Sequence, residues 1–218
     1  MRKLLLAIAI MLCSGISAQN TDTWTNYMID NVGTLSIPNT MELRDGESAT
    51  GKFIDNAVQY KIIQFGGTNA TKRIVFQPIG LNSGDPKLVN AATDKYARII
   101  IDIYSANGIT QSDIDNISAA DIKDLNSFYY ENYMASVQAM GKSVDQFQWF
   151  PLKRAKYAGR NALVMHFKRP GIDGLVDVTE YHFYIRGQEV CFIISYRESA
   201  KSFYADDFCK IMYTLKFK

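Results

Sequence analysis

The segment from Asn161 to Tyr196 constrains the fold more than any other part of the chain. It predicts three consecutive antiparallel strands, because runs of β-branched and aromatic residues alternate with a glycine-containing loop and a two-residue turn. Apolar residues occupy both alternating sets of positions, although one set is the more apolar. Both faces of this sheet therefore need cover, and the rest of the chain must supply it.

The loop and the turn of this segment predict which residues face each other. We place the first loop at Arg169–Gly174 and the second turn at Arg186–Gly187. The predicted opposite pairs are Leu163 with Glu180, Phe167 with Val176, Tyr181 with Phe192 and Phe183 with Val190. This register places most of the aromatic residues on one face.

The N-terminal residues 1–18 predict a signal peptide. Arg2 and Lys3 precede an apolar run, Leu4–Leu12, and a small-residue segment ends at Ala18, where we expect cleavage. A membrane anchor needs about 20 apolar residues and is disfavoured. Lipidation of Cys13 is a second alternative, disfavoured by the bulky Leu12 before it. We predict export to the periplasm or the extracellular space, with no membrane span after cleavage.

Residues 19–218 are long enough for one domain with a sizeable core. Removing residues 1–18 takes away two of the 24 basic residues and none of the 22 acidic ones, which leaves no net charge. A neutral chain without a basic stripe disfavours nucleic-acid binding, which depends on neutralising phosphates.

Other parts of this domain also show clear periodicity. The predicted strands are a bent hairpin from Trp24 to Pro38, Met41–Arg44, Val58–Phe65, Arg73–Ile79, an edge strand within Phe147–Tyr157, and Thr214–Phe217. The predicted helices begin at the caps Asp85 and Ser118 and end near Gly108 and Gly141, and a last helix carries Phe203, Phe208 and Ile211.

No motif for catalysis, a metal or another cofactor is evident. His166 and His182 are predicted to point to opposite faces of the sheet, and no CxxC or HExxH motif is present, so we predict no metal site. The acids at 113–116 lack the glycine and glutamate of a calcium loop. Cys191, in mid-strand, is expected to be a neutral thiol. Cys191 and Cys209 form either one disulfide or two thiols.

Aromatic residues in excess of the predicted core are the candidates for binding. They are Trp149, Phe150 and Tyr130. Tyr130 should leave the helix face that buries its neighbour Tyr129, because adjacent residues in a helix point about 100° apart. Surplus aromatics are typical of interfaces or ligand grooves, although core packing is the alternative.

Three segments resemble the secreted PsbP/DcrB-like domains: Tyr27–Pro38, the three-strand segment with Gly159 and Gly187, and Phe208–Phe217. The resemblance covers about half of the chain. It implies an α+β fold in which helices cover both faces of an antiparallel sheet, an α/β/α sandwich. It also implies an accessory or binding protein and supplies no catalytic residue. The helical region predicted from Asp85 to Gly141 is longer than such domains usually carry.

These observations predict an exported, non-catalytic protein that binds a partner protein or an envelope component. The alternative is an exported hydrolase whose active site is assembled from residues that no motif reveals. A deep pocket with convergent polar side chains would favour the hydrolase.

Overall fold

Ten strands and four α-helices make up the described part of the chain, which is residues 24–44, 70–106, 108–139, 146–171 and 173–218 of a computed structural model. The strands are β1 Trp24–Ile29, β2 Gly33–Pro38, β3 Met41–Leu43, β4 Lys72–Pro78, β5 Ala97–Ser105, β6 Gln148–Tyr157, β7 Arg160–Pro170, β8 Leu175–Ile185, β9 Gln188–Arg197 and β10 Lys216–Phe217. The helices are α1 Pro86–Asp94, α2 Gln111–Asn116, α3 Ala119–Ala139 and α4 Lys201–Ile211.

Seven of these strands form one antiparallel sheet in the order β3-β4-β5-β9-β8-β7-β6. A smaller antiparallel sheet has the order β1-β2-β10. Gly33 permits the pairing of β2 with β10, because a Cβ at this position would lie 1.9 Å from the carbonyl oxygen of Lys216. The α+β class with a covered antiparallel sheet is confirmed.

The large sheet has two faces that pack against different elements. One face, here the α4 face, carries Phe183 and Phe192, which join Phe208 and Ile211 of α4 and residues of the small sheet in the main hydrophobic core. The other, the α3 face, carries Met165, Phe167 and Val178, which pack against Tyr129 and Tyr133 of α3. Helices therefore lie on both sides of the sheet, as predicted.

The caps that the sequence predicted are present. Asp85 accepts a hydrogen bond from the backbone of Lys87 and Pro86 begins α1. The Ser118 hydroxyl accepts from the Asp121 backbone, and the Asp121 carboxylate accepts from the Ser118 backbone, which closes a capping box at the start of α3. Among the described residues no helix is both long and apolar enough to cross a membrane.

The helical prediction beyond Asp94 is wrong. Ala97–Ser105 is strand β5, in the interior of the large sheet between β4 and β9. All residues from Ala97 to Tyr104 are buried, because both faces of this strand are covered. A strand buried on both faces loses apolar–polar alternation, and its continuous apolar run also fits helical spacing.

The register of the three-strand segment is partly as predicted. Tyr181 faces Phe192 across β8 and β9, as predicted from the turn at Arg186–Gly187. Leu163 of β7 faces His182, not Glu180. The strands extend to Pro170 and begin again at Leu175, so the loop is shorter than predicted. An offset of two positions keeps every side chain on its predicted face.

The edge position of β6 is confirmed, and its pairing with β7 is irregular between Phe150 and Lys153, on either side of Pro151. The predicted signal peptide with Cys13, the strand at 58–65, and the C-terminal stop of the second helix at 140–141 lie outside the described residues.

Candidate functional site

A row of polar side chains crosses the α3 face on four neighbouring strands. Arg73 of β4 faces Asp102 of β5, Asp102 faces Cys191 of β9, and Cys191 faces His182 of β8. We call these four residues the polar row. Asp102, Cys191 and His182 are at most 2% exposed. Polar groups buried to this extent need partners, and the row supplies many of them.

His182 is the most densely contacted member of the row. Its Nδ1 atom lies 2.7 Å from Oε1 of Glu189, and its Nε2 atom lies 3.3 Å from Oε2 of Glu180. The Sγ atom of Cys191 is 3.6 Å from the same Nε2 atom. Tyr133 of α3 donates a hydrogen bond to Oε1 of Glu180 over 2.9 Å. A helix residue thus closes a cluster built by two adjacent strands.

The protonation of this cluster follows from its burial and its charges. Burial opposes a charged imidazole, but Cys191, Glu180 and Glu189 together raise the pKa of His182 well above its usual value. Burial raises the pKa of Cys191 to about 12, so this residue remains a thiol at neutral pH.

Cys191, His182 and Glu189 have the connectivity of a nucleophile, a base and an orienting acid. Two observations argue against that chemistry here. Cys191 is 2% exposed and its sulfur keeps its proton, whereas reactive cysteines are partly exposed thiolates. The burial and the raised pKa of Cys191 agree with the expectation of a neutral thiol.

Asp102 anchors the other end of the polar row. Nε and Nη2 of Arg73 each donate to one oxygen of its carboxylate over 2.6 Å. The Tyr104 hydroxyl donates to Asp102 Oδ2 over 3.0 Å. The hydrogen bond from Arg73 to Asp102 raises the pKa of the guanidinium, which therefore stays charged. This bidentate pair satisfies a carboxylate that is fully buried.

A groove of about 730 Å³ lies beside the cluster, between α2, α3 and the sheet. Its lining is Ile109, Ser112, Asp113, Ile114, Asn116, Ile117, Asp121, Asp124, Leu125, Phe128, Tyr129, Leu163 and Tyr184. Three of these described residues are acidic and none is basic. Phe128 is 57% exposed, which is unusual for a large apolar side chain beside a groove.

Two of the groove acids also hold the helices that form it. Asp113 closes a capping box with Thr110 at the start of α2, and Asp121 does the same with Ser118 for α3. These hydrogen bonds lower the pKa of Asp113 and of Asp121, so both remain charged at neutral pH. α2 itself was not predicted; its signal was Thr110 three residues before Asp113.

The three aromatic residues predicted to bind a partner do not form one surface. Trp149 is half-buried: its ring stacks on Phe167 with centroids 5.9 Å apart, and its Nε1 atom donates to Asn126. Tyr130 is 41% exposed and lies 6.3 Å from Trp149, ring to ring. These two share the α3 side of the sheet, and their contact with a partner stays a prediction.

Phe150 lies on the other side, because it follows Trp149 in strand β6. Its ring stacks on His166 with centroids 4.1 Å apart. The Nε2 atom of His166 is 3.0 Å from Oδ1 of Asp177. His166 faces Thr179 across the strands and so lies on the face opposite to His182, as predicted.

The two cysteines are thiols and not a disulfide pair. Cys191 is buried against His182 on the α3 face. Cys209 is exposed on α4, whose Phe208 and Ile211 pack into the opposite face. The sheet therefore separates the two sulfur atoms.

Sequence reasoning missed the polar row, although part of its signal was available. The confirmed β8–β9 register already pairs His182 with Cys191. Glu180 lies two residues before His182 and Glu189 two residues before Cys191, so all four share one face. Asp102 could not be added, because β5 was predicted to be helical.

The chain matches no protein-family model and no curated protein. Among solved structures it is similar to the solution structure of cyanobacterial PsbP (CyanoP) from Synechocystis sp. PCC 6803. That match has a TM-score of 0.51 and 11% identity, and it covers 95% of this chain and 99% of the other. LpqN of Mycobacterium tuberculosis, a protein involved in cell envelope biogenesis, matches with a TM-score of 0.44 and 12% identity over 89% and 90%. The chain thus has a PsbP-like fold, and at this identity the likeness concerns the fold alone.

Proposed function

We propose that this chain is an exported, non-catalytic binding protein whose groove between α2 and α3 holds a segment of a partner protein. The segment would place an apolar side chain in the groove and carry lysine or arginine beside it. The observation that carries this proposal is the groove itself, with an apolar floor, acidic residues and an exposed Phe128.

The groove suits an apolar side chain because most of its floor is apolar. Ile114, Leu163 and Tyr184 are buried and form one small hydrophobic cluster beneath it, with Ile117 and Leu125 packed against them. Such a cluster gives a preformed surface that α2 and α3 hold in place. Preformed apolar concavities with few polar groups are typical binding sites.

Charge complementarity favours a basic segment. Asp113, Asp121 and Asp124 line the groove, and Asp115 and Glu131 lie on the same two helices. Lys123 is the one basic residue on these helices, and Arg154 of β6 donates to backbone carbonyls at the end of α2, so two basic groups stand against five acidic ones. The local charge is therefore negative, although the chain after residue 18 is neutral, and acidic surroundings attract lysine and arginine to the interface.

The same geometry supports binding over hydrolysis. Asp113 and Asp121 are held by helix caps, so they are not arranged as an acid–base pair. A hydrolase built on Cys191 and His182 would need access for a substrate, and both residues are only 2% exposed. A substrate would have to displace α3 to reach them.

Selection of a random peptide display library on the purified protein tests the proposal. We expect enriched peptides to combine a large apolar residue with adjacent lysine or arginine. The variant Phe128→Ala should weaken their binding about tenfold, as expected for a central aromatic contact. Asp124→Asn should weaken it by a smaller factor. Phe203→Ala is the matched control, since Phe203 is 55% exposed on α4, and it should leave binding unchanged.

Three results would contradict the binding proposal. The first is enrichment of acidic peptides, and the second is peptide binding that Phe128→Ala leaves intact. The third is a second copy of this chain in the groove, which ultracentrifugation would show as a dimer that Phe128→Ala dissociates. Turnover of a broad panel of ester and peptide substrates that Cys191→Ser abolishes would support the hydrolase instead.

The proposal of export is based on residues 1–18, which have a basic start, an apolar run and a small-residue end. We expect the protein recovered from outside the cytoplasm to begin at Gln19, as intact mass spectrometry would show. A lipid-modified Cys13, or an intact Met1, would contradict cleavage after Ala18.

A further inference from the structure

The α3 face holds a group of side chains whose geometry suits a metal ion. One ligand atom from each of Glu180, His182 and Cys191 lies within 4.8 Å of the other two, and all three residues are buried. We propose that these three residues bind a zinc-class divalent cation, with Glu189 orienting the histidine. This site is separate from the groove, so the proposal does not depend on the partner-binding function.

The distances match the edges of a small tetrahedral site. Zinc lies about 2.3 Å from a cysteine sulfur and about 2.0–2.1 Å from a histidine nitrogen or carboxylate oxygen. Tetrahedral angles then require about 3.5 Å between sulfur and nitrogen and about 3.4 Å between nitrogen and oxygen. His182 Nε2 lies 3.6 Å from Cys191 Sγ and 3.3 Å from Glu180 Oε2. The third edge, from the Cys191 sulfur to a Glu180 carboxylate oxygen, is at most 4.8 Å.

The orientation of His182 is the one that metal-binding histidines use. Its Nε2 atom points to the other two ligands, while Nδ1 lies 2.7 Å from Glu189 Oε1. A metal-bound histidine usually donates its second N–H to a carboxylate or carbonyl, which fixes the ring and its tautomer. Glu189 holds that position. Tyr133 similarly holds the second oxygen of Glu180.

The donor set selects the class of metal. A thiolate, an imidazole and one carboxylate favour zinc and similar transition metals, whereas calcium and magnesium prefer oxygen donors alone. Three protein ligands leave one tetrahedral position for water or another small ligand. No histidine pair or CxxC motif is needed, so the sequence search for such motifs could not reveal this site.

Binding requires the deprotonated forms of two ligands. Cys191 must bind as a thiolate, and His182 must bind through an Nε2 atom that carries no proton. Metal affinity should therefore decrease as the pH is lowered.

Cobalt(II) is the direct probe, because a cobalt–thiolate bond gives a near-ultraviolet charge-transfer band. The protein is unfolded with chelator, refolded with Co²⁺ or Zn²⁺, and freed of excess metal, since a buried site is loaded most readily during folding. All samples carry Cys209→Ser to remove the exposed thiol. We expect one metal per chain, the thiolate band and a higher melting temperature.

Variants on the two faces separate this site from unspecific binding. Cys191→Ser should abolish the thiolate band and stoichiometric metal. Glu189→Gln should weaken binding about 10- to 100-fold, the usual effect of removing an orienting carboxylate. His166→Gln is the matched control, because His166 also contacts a carboxylate but lies on the opposite face. It should leave affinity unchanged.

The unsubstituted cluster gives the decisive result even if a buried variant fails to fold. Refolded Cys209→Ser protein that retains less than a stoichiometric amount of metal, or shows no thiolate band, would overturn the proposal. Metal binding that folded Cys191→Ser retains would overturn it as well. Circular dichroism identifies which variants have folded.

Discussion

The two faces of the large sheet are built from the same strands but stabilised by different physics. On the α4 face, Phe183, Val190 and Phe192 are completely buried among other apolar side chains. On the α3 face, the residues next to them in sequence include His182, Glu189 and Cys191, which are at most 2% exposed. Adjacent residues of β8 and β9 thus alternate between apolar packing and a polar network.

This difference shows where a function can be built into a fold of this kind. The α4 face holds the small sheet and α4 against the large sheet by burial of apolar surface, which is non-directional. The α3 face fixes side chains by hydrogen bonds with defined partners, and buried polar networks are costly unless complete. The proposed metal site and the groove between α2 and α3 both lie on the α3 side.

At high pH we expect both faces to lose stability together, and this is the largest effect that we predict. Burial raises the pKa of Tyr104 and Tyr184 on the α3 face and of Tyr181 on the α4 face. Unfolded tyrosines ionise near pH 10, so the folded state binds more protons than the unfolded state above that pH. The stability that these buried tyrosines contribute below about pH 10 is therefore lost as the pH rises further.

Urea denaturation at pH 8, 10 and 11 measures this loss, with tyrosinate absorbance as a second signal. The midpoint should be constant up to about pH 9 and then fall steeply as ionisation and unfolding coincide. A constant midpoint up to pH 11 would show that these tyrosines ionise without opening either face. Separate transitions for ionisation and unfolding would contradict their burial.

Substitution of neighbouring residues in β9 compares the faces directly. Phe192→Ala should cost about 3–5 kcal/mol, because it leaves a large cavity in a fully buried apolar core. Cys191→Ala, one residue earlier, removes one heavy atom and should cost about 1 kcal/mol. Urea denaturation in the presence of chelator measures both without a metal contribution. Equal costs would mean that the α3 face is packed as tightly at this point as the α4 face.

The sequence predicted the α4 face better than the α3 face, for a physical reason. Its apolar residues alternate in β8 and β9, and the two-residue turn at Arg186–Gly187 fixes their register, so Tyr181 and Phe192 were paired correctly. The longer loop before Leu175 fixes its register less strictly, and Leu163 was assigned the wrong partner. The error of two positions did not change the face.

The polar row and the two glutamates that contact it were harder to predict from the sequence. A buried polar residue in a strand shows the same alternation as a polar residue that is exposed to solvent. Glu180 and Glu189 resemble outward-facing residues until α3 is placed over them. Asp102 interrupts an isoleucine run that fits a helix as well as a buried strand. The row depends on cross-strand neighbours, which single-strand patterns do not contain.

Breaking the ion pair between Arg73 and Asp102 should lower the free energy of unfolding by less than Phe192→Ala does, but by more than breaking an exposed ion pair does. Asp102→Asn removes the charge that Arg73 contacts through two hydrogen bonds, and we expect a loss of about 2–3 kcal/mol. This loss lies at or below the lower limit of what removal of one partner from a buried ion pair usually costs. The reason is that the Arg73 side chain is 35% exposed and regains some hydration when its partner is removed.

Asp30→Asn is the matched control for Asp102→Asn. Asp30 pairs with Lys72, the neighbour of Arg73 in β4, over 2.7 Å, but both side chains are exposed to solvent. The substitution should leave the free energy of unfolding unchanged within error. Similar losses for both variants in urea denaturation would contradict the special role of the buried pair.

The smallest expected effect tests whether α3 completes the network or only covers it. Tyr133→Phe keeps the ring that packs on Phe167 and removes the hydroxyl that donates to Glu180 over 2.9 Å. One oxygen of a buried carboxylate then loses its donor, which should cost about 1–2 kcal/mol. Tyr130→Phe removes an exposed hydroxyl from the same helix and should change nothing measurable. If Tyr133→Phe is also neutral in metal-free protein, α3 acts on this face by apolar packing alone, and the two faces differ less than their hydrogen bonds suggest.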